Sequence, residues 1–462
     1  MQQPWTLHVR DFGRIKTADI EIAPMMLFIG PNNTGKSYLA SLLWGILNYR
    51  DILPYEDITS SEYYKKCKEL FLSLYENKNK SLDDEFIVSV VCWFNENLKK
   101  WKDEIIRNTF TSYDLKIGEL SIELKKGSIS TPSIEWREST GFKGFDGSCF
   151  LYTKLMKAED LKDSAIYQCI VKLAKFLLFE KFFSPIYLPA SRTGFMLSYK
   201  TLTAALMEGW GLKKRKPIDF SQPIIDFLQN LTFVNMNDKN SPSARRIIMP
   251  ITKDFPFENN KKHPSSDNYA YIARSLEDEI LEGRIEQSEE PMSSFSYKPV
   301  MTRNRSLPFH LTSSLVTELA PLVIFLKGKY DLNALIFEEP ESHLHLNAQR
   351  ILAKYLVKLL NNDLPVWITT HSDIFFQQIN NLIASNPDRK AKLKQASYKD
   401  DEMIKFDDIK AYQFNIDKAD GMTEVVPLEQ TEDGFVAPTF NQTIFELSKE
   451  TSNLMTDSDD VE

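Results

Sequence analysis

Cysteine is scarce: Cys67, Cys92, Cys149 and Cys169 are the only four in 462 residues. None stands at the C-x-x-C spacing of a metal or disulfide framework, so they read as reduced thiols and the chain as cytoplasmic. Long apolar runs are missing as well. No stretch approaches the roughly eighteen residues that span a bilayer, and Met1 to Arg10 lacks the apolar segment of a signal peptide. No membrane partner is expected. Basic charge is in deficit, with 56 Lys and Arg against 64 Asp and Glu and a formal net charge of -8. That balance gives no general attraction to nucleic acid, although a local basic face is compatible with it. Lys213-Lys214-Arg215-Lys216 is the one dense basic run, and it reads either as a solvated helix end or loop, or as a phosphate-contacting patch.

The rest of the composition is globular, 42% hydrophobic and 26% charged, which excludes collagen-like and wholly disordered chains. The length suffices for two or three folding units. Leu7-His8-Val9 and Ala18 to Ile22 alternate as half-buried strands joined by a turn at Asp11 to Gly13, and Met25 to Ile29 is a short apolar strand. Gly30 to Gly35 is a loop by composition, and Lys36 to Leu47 an apolar-periodic helix. Tyr55 to Asn108 is helical and aromatic-rich, whereas Ser112 to Trp136 breaks into short alternating segments that predict a small antiparallel sheet. Ala158 to Phe183 predicts a helix, Pro185 to Pro189 a brief strand, and Ser198 to Glu290 a mixture of helices and polar segments. Alternation resumes near Phe309, with a helix from about Ser314 to Lys327, a strand at Ala334 to Phe337, a helix at Asn347 to Asn361 and a strand at Pro365 to Thr369. Strand and helix in turn argue for an α/β fold on a parallel sheet, interrupted by two insertions. Lys405 to Phe414 and Met422 to Leu428 predict closing strands before a final helix and a frayed acidic end, Asp457 to Glu462.

Gly30-Pro31-Asn32-Asn33-Thr34-Gly35-Lys36-Ser37 fits G-x-x-x-x-G-K-[ST] at every fixed position, between a strand and a helix as that motif requires. The glycines let backbone N–H groups converge on phosphates, and the helix beginning at Lys36 points its positive end at them. Lys36 is expected to neutralise β and γ oxygens and the Ser37 hydroxyl to ligate Mg²⁺. Tyr38, next in sequence, is grouped with the nucleotide contacts. Leu335 to Glu341 is an apolar strand ending in adjacent carboxylates, where a parallel sheet places ligand-binding groups. Glu338 is expected to hold the Mg²⁺ through water and Glu339 to polarise the attacking water. Val366 to Asp373 repeats the design, placing His371 at a strand end to donate a hydrogen bond to the γ-phosphate and report its presence. ATP and Mg²⁺ are the ligands such a set takes.

The phosphate loop, Glu338-Glu339-Pro340-Glu341 with His343-Leu344-His345, and Thr369-Thr370-His371-Ser372 together resemble ABC-type ATPases of the RecF, SMC and overcoming-lysogenization-defect (OLD) superfamily. Phe12-Gly13-Arg14-Ile15-Lys16 and Ile29 to Asn33 resemble the same heads, in which a fringe strand pair precedes the nucleotide loop. The likeness covers roughly the first fifty residues and about residues 305 to 430. It implies an ABC-type head, a P-loop parallel sheet with antiparallel N-terminal strands, carrying helical and small β insertions. It also implies ATP hydrolysis and two copies sandwiching ATP, each offering a signature segment to the γ-phosphate held by the other. Leu311-Thr312-Ser313-Ser314-Leu315 is the best candidate for that segment. Both glycines of the usual L-S-G-G-Q are gone, which leaves open whether Ser313 or Ser314 makes the contact, and the segment also reads as a plain helix N-cap. Pro189 to Gly194 resembles a loop of the OLD-like group, so Arg192 either reaches nucleotide or a partner subunit, or is a surface or structural arginine. His343-x-His345 has the spacing of metal ligands, although the heads it resembles carry histidines there without a metal.

These readings divide the chain into head segments at 1–55, 183–197 and 296–440, insertions at 56–182 and 198–295, and a C-terminal helix and acidic tail at 441–462. OLD nucleases append a Toprim domain after the head, and the ninety or so residues after His371 leave no room for one. The resemblance therefore implies a stand-alone ATPase and sensor subunit like those of PARIS-type and Septu-type anti-phage defence systems. Such a subunit is a homodimer or larger homo-oligomer, partnered by a separate effector such as a nuclease and answering a phage-encoded trigger. A RecF-like DNA clamp is the alternative, weakened by the acidic balance, and DNA binding is left open. A transporter's nucleotide-binding subunit fits least, because of the irregular insertions and the fringe strands.

Overall fold

A computed structural model of the chain describes residues 5–48, 61–77, 82–124, 133–137, 148–152, 162–179, 184–202, 204–205, 220–236, 266–287, 295–301, 305–328 and 332–454. The basic run Lys213 to Lys216 and the acidic end from Asp457 lie outside the described residues. Among the described residues no helix is long and apolar enough to cross a membrane.

The central sheet is built from β1 (Trp5–Phe12), β2 (Ile15–Glu21), β3 (Met25–Ile29), β4 (Ile117–Leu124), β5 (Ile186–Leu188), β6 (Leu335–Glu338), β7 (Val366–Thr370), β8 (Ile409–Ile416) and β9 (Thr423–Pro427). Their spatial order is β4-β1-β2-β9-β8-β3-β7-β6-β5. The run from β8 to β5 is parallel throughout. On the other side β4, β1 and β2 pair antiparallel, as do β8 and β9. The expected α/β architecture, a parallel sheet extended by antiparallel N-terminal strands, is what forms.

Burial explains why the parallel half reads as continuous apolar runs, since helices cover both of its faces. Every residue of β3, β6 and β7 is buried, and alternate side chains enter opposite cores, as the period of two demands. Met26 and Phe28 join Ile336, Trp367 and Phe414 on one face. That core is closed by α1 (Lys36–Asn48), α2 (Glu62–Asn77), α3 (Asp84–Phe110) and α4 (Asp163–Phe179). Met25, Leu27 and Ile29 join Leu335, Phe337 and Ile368 on the other. There the covering helices are α5 (Arg192–Leu197), α6 (Gln222–Met236), α7 (Ser266–Leu276), α8 (Ser314–Lys327), α9 (Leu346–Asn361) and α10 (Asp373–Asn381).

The alternating stretch after Ser112 departs from expectation. Instead of a separate small antiparallel sheet, Ile117–Leu124 extends the central one, pairing with β1 from Trp5↔Leu124 to Phe12↔Ile117. Ser133–Arg137 pairs parallel with Ser148–Tyr152. The cause lies in α3. Leu120 and Ile122 bury against the same core as that helix, and Asn95 of α3 grips both backbone groups of Ile122, its Nδ2 donating to the carbonyl at 2.8 Å and its Oδ1 accepting from the N–H at 2.8 Å. A side chain thus occupies backbone groups that an edge strand otherwise leaves open.

Asn95→Ala removes both part-buried bonds from this edge strand, which is expected to cost about 1–3 kcal/mol. Hydrogen exchange at Ile122 is expected to rise more than at β3, and equal protection at both strands in the variant would contradict the clamp.

Candidate active site

The registers of three strands decide where the motifs meet. β7 lies between β3 and β6, with Thr370 opposite Ile29 and Thr369 opposite Glu338. The phosphate loop after Ile29, Glu339 after β6 and His371 after β7 therefore leave the sheet side by side, at the carboxyl end where such sheets bind ligands.

The loop fits tightly because two of its residues have no Cβ. Gly30 has φ 142°, and a Cβ there would lie 2.8 Å from the Phe414 carbonyl oxygen of β8. Gly35 has φ 97°, and its Cβ would lie 2.9 Å from Ile15 Cγ1 of β2. Both positions favour glycine by dihedral and by space. Between them, Thr34 Oγ1 donates to the Pro31 carbonyl at 3.0 Å and Arg14 to the Asn33 carbonyl at 3.1 Å. Lys36 is buried, and its Nζ donates to the carbonyls of Gly30 (2.8 Å) and Pro31 (2.7 Å). Burial pushes its amine below the usual lysine range, while Glu339, Glu341 and Glu338 pull the other way. Tyr38 is half-exposed, its ring set edge-on against Phe12 and Phe110.

Glu338 is buried, and burial raises its pKa. The Ser37 and Tyr187 hydroxyls and the Ala190 N–H oppose that rise, the last donating to Oε2 at 3.1 Å. Its other oxygen, Oε1, is buried without a hydrogen-bond partner among the described residues. An unpartnered buried carboxylate oxygen beside a serine hydroxyl suits a hard divalent cation, so Ser37 and Glu338 fit Mg²⁺. Glu339 stands differently. Its backbone is left-handed, φ 41°, a conformation costing a non-glycine residue about 1–3 kcal/mol. Its N–H donates to the Thr369 carbonyl at 2.9 Å, and its partly exposed carboxylate has His371 Nδ1 3.7 Å from Oε1 and Ser342 Oγ 3.3 Å from Oε2.

Glu341 is the residue that sequence reasoning missed. Buried, it directs Oε1 at the strand end after β7, accepting from Thr370 Oγ1 (2.7 Å), His371 N (2.9 Å) and Ser372 N (3.2 Å), with His371 Nδ1 at 3.4 Å. The His371 side chain stays 41% exposed, so its backbone is held while its ring faces the site. A third acidic residue two positions past the adjacent pair was the available signal.

Arg192 requires a correction. It has no exposed surface, and each of its nitrogens is engaged. Nε donates to the Glu318 carbonyl (3.1 Å), Nη1 to the carbonyls of Pro189 (3.1 Å) and Glu338 (2.7 Å), and Nη2 to the Glu339 carbonyl (2.9 Å), with Glu318 Oε1 2.5 Å from Nη2. The guanidinium also lies over the Phe337 ring, 4.6 Å from its centroid. It sits behind the carboxylates rather than in front of them, out of reach of a nucleotide or a partner subunit. Ser313 occupies the N-cap position of α8 without a side-chain capping bond, and with Ser314 it is exposed. His345 caps α9 instead of meeting His343.

Glu341→Ala leaves three donors without their charged acceptor and is expected to lower stability by about 3 kcal/mol, measured by urea unfolding. ATP turnover is expected to fall with it. A variant as stable as the parent would mean that the backbone at His371 is held by something else.

A family model described as an AAA ATPase domain matches residues 6–175 and 219–376, well over half of the chain. No curated protein matches it. Among solved structures it is similar to the SMC head domain from Thermotoga maritima at 12% identity, over 93% of this chain and 100% of that one, with a TM-score of 0.33. It is also similar to an SmcHead bound to the C-winged helix domain of ScpA, at 13% identity over 92% and 97% with a TM-score of 0.37. A third is an Smc head domain with an extended coiled coil, bound to the C-terminal domain of ScpA derived from Pyrococcus furiosus, at 12% identity over 97% and 100% with a TM-score of 0.33. By the extent of the family match, the chain belongs to the AAA ATPase domain family and is an ATPase.

Proposed function

We propose that this ATPase is a switch of the ABC type, in which two copies close on ATP and reopen after slow hydrolysis. The carrying observation is the convergence of Lys36, Glu338, Glu339 and His371 at the ends of β3, β6 and β7, in one register. Loop N–H groups from Gly30 to Ser37, with Pro31, Asn32, Asn33 and Thr34 shaping the turn, bind the β and γ phosphates. Lys36 offers them its ammonium, which the Gly30 and Pro31 carbonyls hold at the loop. Ser37 and Glu338 would hold a Mg²⁺, which supplies neutralisation of triphosphate charge. Glu339, its carboxylate partly exposed and next to His371, orients the attacking water and takes its proton. His371 donates to the γ-phosphate, and the second copy supplies Ser313 or Ser314 at the exposed N-terminus of α8.

At the level of the cell, this switch serves as the ATPase and sensor of a bacterial anti-phage defence complex. It holds a separate effector such as a nuclease and releases it when a phage-encoded trigger is met. Support for that role comes from the resemblance of the phosphate loop, Glu338 to His345 and Thr369 to Ser372 to ABC-type ATPases of the RecF, SMC and OLD superfamily, to which the stand-alone ATPases of such systems are also similar.

Glu339→Gln is expected to bind ATP, to hydrolyse it at least 100-fold more slowly, and to elute as a stable ATP-bound dimer in size-exclusion chromatography with light scattering. Wild-type turnover in that variant would refute the carboxylate assignment, and a monomer at saturating ATP would refute the sandwich. Lys36→Ala is expected to lose ATP binding and, in cells carrying the gene with its neighbours, protection from phage. Full protection by that variant would detach defence from the nucleotide.

A further inference from the structure

The most completely engaged side chain behind the site is one that the nucleotide reading does not use. Arg192 joins three elements: its own loop through the Pro189 carbonyl, the end of β6 through the carbonyls of Glu338 and Glu339, and α8 through the carbonyl and carboxylate of Glu318. Glu318 lies one helical turn beyond Ser314 and is itself fully buried. Thr193, the next residue, donates to Glu318 Oε2 and lies 3.4 Å, oxygen to oxygen, from Thr317 Oγ1. Thr317 Oγ1 in turn bonds the Ser314 carbonyl at 3.0 Å. The first turn of α8 is thereby fastened, through two consecutive residues of α5, to the peptide that carries Glu339.

That peptide is the one in the left-handed conformation. A strained backbone persists only where its surroundings over-determine it, and the Arg192 bond to the Glu339 carbonyl supplies part of that constraint. A buried arginine–glutamate pair is a poor device for stability alone, because desolvating both charges offsets much of their attraction. Its planar fork is well suited to fixing several acceptors in one geometry.

We propose that Arg192 is a positioning residue for hydrolysis. Through Glu318 it couples the seating of the Ser313–Ser314 end of α8 to the aim of the Glu339 carboxylate. The proposal rests on the reading of Glu339 as the water-orienting group and of the α8 N-terminus as the contact with the second copy's nucleotide. In it, a loose α8 leaves Glu339 free to relax, and an α8 seated on a second copy holds it ready, so that nucleotide is cleaved only in the closed pair.

Arg192→Lys keeps the charge and loses the fork. Its kcat is expected to fall at least tenfold, while the ATP dissociation constant, read with a fluorescent ATP analogue, stays within threefold of the parent and the ATP-induced dimer persists. A purely structural arginine would lower kcat and ATP affinity together. Ser314→Ala combined with Arg192→Lys is expected to be little worse than the more severe single variant, since coupled residues are non-additive. Thr193→Val, which deletes only the hydroxyl on Glu318, repeats the measurement should the lysine variant fail to fold, with a several-fold loss of kcat expected at unchanged affinity. Unchanged kcat in the folded variants, affinity lost in step with kcat, or multiplicative effects in the double variant would each overturn the proposal. Normal hydrolysis by Glu339→Gln would instead overturn the reading beneath it, which keeps the two failures apart.

Discussion

Everything chemical in this molecule depends on the lateral pairing of β3, β7 and β6. Because all three are buried on both faces, a slip of one residue would drive each side chain into the wrong core, so the register is strongly specified. That register sets the phosphate loop, Glu339 and His371 at one edge, although the loop lies about three hundred residues before the other two in the chain. The site is thus a by-product of core packing. Its precision comes from Met, Leu, Ile, Phe and Trp side chains that touch no ligand.

Within the site, three carboxylates crowd one lysine, and each is managed by a different means. Glu341 spends its Oε1 on a hydroxyl and two N–H groups. Glu338, like Glu341 at Oε2, keeps one buried oxygen unpartnered, but it stands beside the Ser37 hydroxyl, a pair that fits a cation. Glu339 alone keeps partial solvent access and a backbone that is held from behind. Identical side-chain chemistry therefore yields a strand-end anchor, a buried carboxylate beside a serine hydroxyl and a partly exposed group, separated only by burial and partners.

Where function is written in consecutive residues, the sequence was legible. The phosphate loop, the two adjacent glutamates and the polar tip after Val366 each carry their chemistry within a few positions, and the strands bearing them were placed to within a residue or two. What depends on distant pairing was not. Nothing local tells that Ile117–Leu124 joins β1, because the decision is made by Asn95 and by the core it faces. The role of Arg192 stayed open for the same reason: the groups that bury it come from β6 and α8, over a hundred positions away. Glu341 was visible as a letter, but its role required knowing that the chain turns at Pro340 and brings its carboxylate to β7.

The union of β4 with the sheet has a mechanical consequence. Strand β4 is bonded to β1, β1 to β2, and Ile15 of β2 packs directly against Gly35 of the phosphate loop. The segment around α3 and β4 is thus joined to the floor of the loop by two strand ladders and one packing contact. A phosphate loop whose floor is a strand of the same sheet shares its footing with that distant rim, so the two are built on one slab.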